Sequence, residues 1–442
     1  MKTRYFALWF VMAALLFNAC SSQSGRDRQA APAQGKDAAT EAPSSPGTPP
    51  GANLEAPLKT TPETYPPALG KVIFFLENSE SMFGYVSGIS RYVGVVSELA
   101  EKPDFVKEDI SREFFFINGD GSVLTPIGDD PVVLKKKLNT AGFRCGDITR
   151  SNLNGMFQTA LAAAGGGTIT ILISDGIYDI GDGGMTSLVT SGKETRSRFI
   201  KRLQNGNLQT VMIKLTSEFR GNYFYASRKG KIAINSERPY YIWIFGESSL
   251  LGKYFPDSYI AGELAGYETL ARFLKPDNGD LPWQVVSDNS LGSFRFDHRV
   301  KNRLVGAKPD RNGQGFQFTV AVDFSTLPFP DSYYLSAANY ETEGKFEVSE
   351  VRKAVKKIHG LSFTPTHLIS VKTMKNPAGK MSLSLASRIP GWISETASED
   401  EEAIGTDVSH TFGLNYLTDA ITDAYRSVSE ERHLATFTVE IQ

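Results

Sequence analysis

Two short stretches carry the residues best suited to chemistry. They are Phe74-Phe75-Leu76-Glu77-Asn78-Ser79-Glu80-Ser81-Met82 and Ile171-Leu172-Ile173-Ser174-Asp175-Gly176. Each runs from apolar residues into oxygen-bearing side chains. A short apolar run bounded by turn residues reads as a buried strand. In an open α/β sheet, ligands bind outside the carboxyl ends of such strands. Two carboxylates and two or three hydroxyls meeting there make an all-oxygen donor set, which suits a hard cation such as Mg²⁺. Alone, each stretch is ordinary, because Ser and Asn are favoured helix caps and Asp-Gly is a common turn. The pairing of the two is what points to a shared site.

The elements that must position them alternate. Val72–Leu76 reads as a first strand, and Ile89, Tyr92, Val93, Val96, Leu99 and Ala100 recur at helical spacing. Glu113–Ile117 predicts a strand, and Pro131 to Leu138 a short helix with Pro in its first turn. Ser151 is placed to cap a helix running through Leu161, ended by Gly165-Gly166-Gly167. Strand Ile169–Ile173, helix Arg196–Leu203 and strands Thr210–Leu215 and Tyr240–Phe245 follow. This alternation predicts an α/β domain over residues 67–252, doubly wound on a mostly parallel sheet.

Near Gly252 the character changes. Residues 253–442 predict a β-rich C-terminal domain, read as a β-sandwich. Its strands are expected at Trp283–Val286, Ser293–Phe296, Phe316–Phe324, Tyr333–Ala337, His367–Val371, Met381–Leu385 and Ala435–Ile441. Alternation such as Phe316-Gln317-Phe318-Thr319-Val320 suits antiparallel strands with one wet face. One helix is expected near Tyr416–Val428.

The paired stretches resemble the metal-ion-dependent adhesion site of von Willebrand factor type A domains. That family carries Asp-x-Ser-x-Ser after its first strand, a Thr in a later loop and an Asp after its fourth strand. Here the first motif stands as Glu77-Asn78-Ser79-Glu80-Ser81, followed by Met82. Ser151-Asn152-Leu153-Asn154-Gly155-Met156-Phe157 is similar to the family's Thr-Asn-Ile/Leu helix start, with Ser151 at the Thr position and Thr149 a less well registered substitute. Ser174-Asp175-Gly176 is the last motif. Glu77 in place of Asp and Glu80 in place of a small residue are departures. The resemblance spans roughly residues 68–250. It implies a cation, Mg²⁺ with Mn²⁺ or Ca²⁺ as alternatives, held by Glu77, Ser79, Ser81, Ser151 and Asp175. It also implies a protein partner whose acidic side chain completes the coordination.

The amino terminus reads as a targeting segment. Lys2 and Arg4 form a basic start, and Tyr5 to Phe17 is an apolar run shorter than the roughly 20 residues of a spanning helix. Leu16-Phe17-Asn18-Ala19-Cys20 resembles a bacterial lipobox, which implies a lipidated Cys20 after a signal peptide over residues 1–20. Residues 21–66 are rich in Pro, Ala, Ser and Gly and read as a disordered tether. The expected location is the cell envelope, on the outer or inner membrane and facing the periplasm.

Composition narrows the function. A net charge of −2 from 47 basic and 49 acidic residues leaves no electrostatic footprint for nucleic acid. With Cys20 lipidated, Cys145 has no disulfide partner, and the five histidines show no zinc spacing. No Gly-x-Ser-x-Gly elbow, Walker loop or Gly-x-Gly-x-x-Gly occurs. Asp179 and Asp182, and the acidic run Ser398-Glu399-Asp400-Glu401-Glu402, read as solvated loops. Arg238-Pro239-Tyr240-Tyr241 reads as the start of a core strand, and Cys145 as a structural or incidental thiol. The expectation is a membrane-anchored lipoprotein acting in protein–protein interaction or assembly. The alternatives are a metal-dependent hydrolase of phosphate or ester substrates, or a structural lipoprotein with a vestigial metal site.

Overall fold

The computed structural model describes residues 68–442 except residues 228 and 277–279 and the side chain of residue 182. The expected signal peptide, the expected lipidation site Cys20 and the expected tether lie outside the described residues. Seven strands form the first sheet: β1 (Lys71–Glu77), β2 (Ser111–Asn118), β3 (Val123–Gly128), β4 (Thr168–Ser174), β5 (Gln209–Phe224), β6 (Lys231–Gly246) and β7 (Tyr267–Phe273). Their order is β3-β2-β1-β4-β6-β5-β7. β1 lies between β2 and β4, and both pairings are parallel. Val72, Phe74, Leu76, Ile171, Leu172 and Ile173 are fully buried. Burial on both faces is why these strands read as unbroken apolar runs.

The architecture is α/β, but the sheet is mixed. The β2–β3, β4–β6, β5–β6 and β5–β7 pairings are all antiparallel. Thr210–Leu215 and Tyr240–Phe245, expected as separate strands, are the inner halves of one hairpin with sixteen residues in each arm. A short connection between neighbouring strands forces them antiparallel. The outer half of β6 alternates and is largely exposed over Lys231–Glu237, so its apolar signal is weak. It projects beyond the sheet as a ribbon.

Helix α1 (Arg91–Ala100) covers one face, reaching Tyr240 through Tyr92, with ring centroids 5.0 Å apart. Its start is capped by Ser90, whose hydroxyl accepts from the Val93 amide. Ile89, expected on this helix, precedes it and is fully exposed. Short helices α2 (Pro103–Lys107) and α3 (Pro131–Lys137) follow. The other face takes α4 (Leu153–Ala163) and the twenty-residue α5 (Gly184–Leu203). Phe157 on α4 meets Trp243 edge-on at 5.1 Å, and Phe199 on α5 meets Phe245 at 6.2 Å. Alternation along β6 thus sends Tyr240 to one layer and Trp243 and Phe245 to the other.

The first sheet runs past the expected boundary at residue 252. Helices α6 (Ser248–Tyr254) and α7 (Asp257–Glu263) lead into β7, which pairs with β5. Beyond it lie β8 (Trp283–Leu291), β9 (Ser293–Phe296), β10 (Arg303–Lys308), β11 (Phe316–Val322), β12 (Tyr340–Thr342), β13 (Glu347–Lys353), β14 (His367–Thr373) and β15 (Gly379–Ala386). The short pair β16 (Ala397–Ser398) and β17 (Thr411–Phe412) and the last strand β18 (His433–Ile441) complete the chain. Five strands order as β12-β15-β18-β10-β9 and four as β13-β14-β11-β8. Phe318, Val320 and Ile369 from the four-stranded sheet share one core with Leu383, Phe437 and Val439 from the five-stranded one. This is sheet-on-sheet packing.

Three segments depart from expectation. Tyr333–Ala337 is not a strand: Asp331–Leu335 is helix α8, entered from Pro330, with the Tyr333 hydroxyl donating to the Ala386 carbonyl at 2.5 Å. Helices α9 (Trp392–Thr396) and α10 (Leu414–Ser427) return to the first sheet rather than serving the β-rich half. Leu417, Ile421 and Tyr425 of α10 join the first core, and the Tyr425 hydroxyl lies 2.8 Å from that of Thr210 on β5. The amphipathic period of α10 was legible, but not which sheet it covers. Among the described residues, no helix is long and apolar enough to cross a membrane.

Candidate functional site

Glu77 is the last residue of β1 and is fully buried. Asn78 locks the turn that follows. Its amide donates to the carbonyls of Phe143 (2.8 Å) and Cys145 (3.0 Å), and its oxygen accepts from Asn118 (3.0 Å). Ser79 then stands before a 3₁₀ turn over Glu80–Val86 but makes no capping bond. Its hydroxyl donates instead to Glu77 Oε1 at 2.6 Å and lies 3.0 Å from the Ser81 hydroxyl.

Ser151 is treated the same way. The expected cap of α4 is supplied by Asn152, whose side chain accepts from the Gly155 amide at 3.2 Å. That leaves the Ser151 hydroxyl to donate to Glu77 Oε1 at 2.5 Å. Ser151 is held by a parallel bridge to Gly119. The turn after Gly119 presses on α4 so closely that a Cβ on Gly155 would lie 1.8 Å from the Asp120 carbonyl oxygen. Thr149 donates to Asp147 instead, at 2.8 Å.

Asp175 follows β4 and is 3% exposed. Its Oδ1 accepts from the Ile177 amide at 3.3 Å, and the Ser81 hydroxyl supports its charge. Ser151, Glu77, Ser79 and Ser81 therefore form one hydrogen-bonded chain, and Asp175 lines the same cleft as Ser79, Ser81 and Ser151. One oxygen on each carboxylate, Glu77 Oε2 and Asp175 Oδ2, is buried with no hydrogen-bond partner. Burial and the neighbouring Asp175 charge push the Glu77 carboxyl up to about 7, against the pull of the Ser151, Ser174 and Ser79 hydroxyls. Burial raises Asp175 as well, while the nearby Arg238 guanidinium works to lower it.

The site is the floor of a cleft of about 450 Å³. Ser79, Ser81, Ser151 and Asp175 line it below, and Ile148 and Arg150 stand on one side. Phe224, Tyr225 and Lys231, at the far end of the β5–β6 ribbon, also line it. The ribbon end is clamped from a distant part of the chain. Glu401, read from sequence as part of a solvated run, accepts from the Ser227 amide (3.2 Å) and the Ser227 hydroxyl (2.5 Å). Ribbon and clamp are long-range features with no local signal. Arg238 is the other residue missed. Its only sequence signal was a charge at the head of an apolar run.

The donor set fits a hard cation through two carboxylates with an orphaned oxygen each and three adjacent hydroxyls. Among the described residues, no three His, Cys, Asp or Glu side chains cluster as metal ligands, at this site or elsewhere, so its remaining donors are serine hydroxyls. No known protein family matches the chain, and no curated protein matches it in sequence.

Proposed function

We propose that this chain is a membrane-anchored lipoprotein of the cell envelope that mediates protein–protein interaction or assembly through a von Willebrand type A-like domain. The observation that carries the reading is the meeting of Glu77, Ser79, Ser81, Ser151 and Asp175 at the carboxyl ends of β1 and β4, beneath an open cleft. The motif order agrees with the family resemblance, while antiparallel β6 beside β4 departs from it. Ser79, Ser81, Ser151, Asp175 and Glu77 would hold Mg²⁺. The bound ion would act as a Lewis acid for a carboxylate presented by the partner. Lipidation at Cys20 and a periplasm-facing location belong to the same proposal.

Arg238 favours a second reading, the vestigial site. A guanidinium that acts on the Asp175 charge from beyond ion-pair distance supplies part of the charge a cation would bring. A cation titration separates the two. For the full-length protein, Mg²⁺ or Mn²⁺ is expected to raise the melting temperature, by the equivalent of about 2.7 kcal/mol at a hundredfold excess over Kd. Ser79→Ala and Asp175→Ala are expected to abolish the rise. A parent protein indifferent to both ions would exclude the metal-assisted reading. Turnover of generic phosphate or ester substrates would favour hydrolysis over binding.

A further inference from the structure

We infer that Arg238 is the resident counter-charge of the buried Asp175 beside Glu77 and sets how strongly the site holds a cation. The inference rests on the cation reading above and adds a residue that reading does not contain.

Arg238 is 1% exposed, and its Nε and Nη1 have no hydrogen-bond partner. A buried guanidinium without hydrogen bonds is costly unless an opposite charge offsets its lost hydration. Its immediate neighbours are aromatic: the guanidinium lies 5.1 Å from the Phe219 ring centroid and 4.6 Å from that of Tyr223. Ring faces recover only part of the cost. They carry no net charge, so a buried anion is still required.

Strand register places a buried carboxylate nearby. The β4–β6 ladder ends with Ser174 opposite Tyr241. Asp175 leaves β4 at that point, and Arg238 lies three residues back along antiparallel β6. Arg238 therefore flanks the segment that carries Asp175. The two side chains make no direct ion pair within 4.0 Å, yet the guanidinium is close enough to favour the ionised Asp175. The cations that line the cleft, Arg150 and Lys231, are exposed, where solvent screens them. Two buried carboxylates, one buried guanidinium and orphaned atoms on all three make a site that is partly neutralised before any ion arrives. A divalent ion binding there must overcome repulsion from Arg238.

The test is a double-mutant cycle in the full chain with chelator present. Arg238→Met keeps an unbranched side chain between the two rings and removes the charge. It is expected to lower the melting temperature clearly in the parent and by much less in an Asp175→Asn background, where no charge needs compensation. Arg238→Lys, which keeps the charge, should restore most of the loss. Should Arg238→Met not fold alone, folding of the Arg238→Met/Asp175→Asn double variant would support the inference. Additive effects of the two substitutions would overturn it.

Mn²⁺ titration supplies the second arm. Where Arg238→Met folds, its Mn²⁺ affinity is expected to be at least tenfold tighter than the parent's; where it does not, a soluble Arg238→Gln takes its place. Coupling between Arg238 and Asp175 with unchanged Mn²⁺ affinity would overturn the claim on cation strength. Coupling with no Mn²⁺ binding in any variant would support the counter-charge and sink the cation reading itself.

Discussion

Glu77→Gln is expected to stabilise the protein at pH 8 and to leave it nearly unchanged near pH 5. In the unfolded chain this carboxyl ionises at its ordinary value of 4.5, whereas the fold holds its proton up to about 7. Between those values the folded state binds more protons than the unfolded one, so stability falls as pH rises. The contribution is intact below 4.5 and lost by the time pH has passed about 7. That interval is worth about 3 kcal/mol. Glu77 is fully buried, so solvent screening takes little of it.

Glutamine keeps a carbonyl oxygen to accept from Ser79 and Ser151, the two hydroxyls that Glu77 Oε1 now holds. It removes the negative charge facing Asp175. Melting curves from pH 4.5 to 8.5 in chelator should converge at the acid end and separate by several degrees at the alkaline end. A residual slope from Asp175 is expected in both proteins, since burial raises that group too. Parallel curves would show that Glu77 does not carry the buried charge. Added Mn²⁺ should raise the parent at pH 8 and leave Glu77→Gln little changed, because the ion requires the carboxylate.

The site was legible in the sequence because its parts are local. β1 and β4 are buried on both faces, so each announces itself as an apolar run, and the polar residues after each run are at its carboxyl end by chain direction alone. Asn78 and Ser79 also looked like turn formers, and the structure divides those roles. Asn78 ties the turn to the Phe143 and Cys145 carbonyls, while Ser79 forgoes capping for Glu77. Asn152 likewise takes the cap expected of Ser151.

What was not legible depends on partners far along the chain. Arg238 looks like a strand entry until Phe219 and Tyr223 of the paired strand enclose it. Glu401 looks solvated until Ser227 reaches it across 174 residues of sequence. A strand that pairs antiparallel with β4 reads no differently from one that pairs parallel when both faces are buried, so the orientation of β6 could not be taken from its composition.

The ribbon strand that carries Phe219 packs on Gly84, and Gly84→Val is expected to be the most damaging single change near the site. Gly84 lies in the 3₁₀ turn that carries Ser81. A Cβ there would fall 2.3 Å from Cε2 of Phe219, and a Cβ on Gly221 would fall 2.8 Å from the Gly84 Cα. Two glycines thus let β5 cross the turn in direct contact. The Phe219 ring has nowhere to go: it is 1% exposed, edge-on to Tyr85 at 4.9 Å and under the Arg238 guanidinium. Overpacking against such a ring forces backbone movement, so a loss of about 3 kcal/mol is expected. Gly94→Ala is the matched control. Gly94 is exposed within α1 and has nothing within 4 Å of its Cβ position, so alanine should add about 0.5–1 kcal/mol. Denaturant melts measure both. Limited proteolysis adds the distinguishing readout, because a ribbon pushed off the turn should be cut between Phe224 and Lys231 much faster in Gly84→Val than in the parent. Equal stability and equal cutting would mean that the ribbon is not packed on the turn. In that case the wall of the cleft, and the burial of Arg238 that depends on Phe219, would have to be abandoned together.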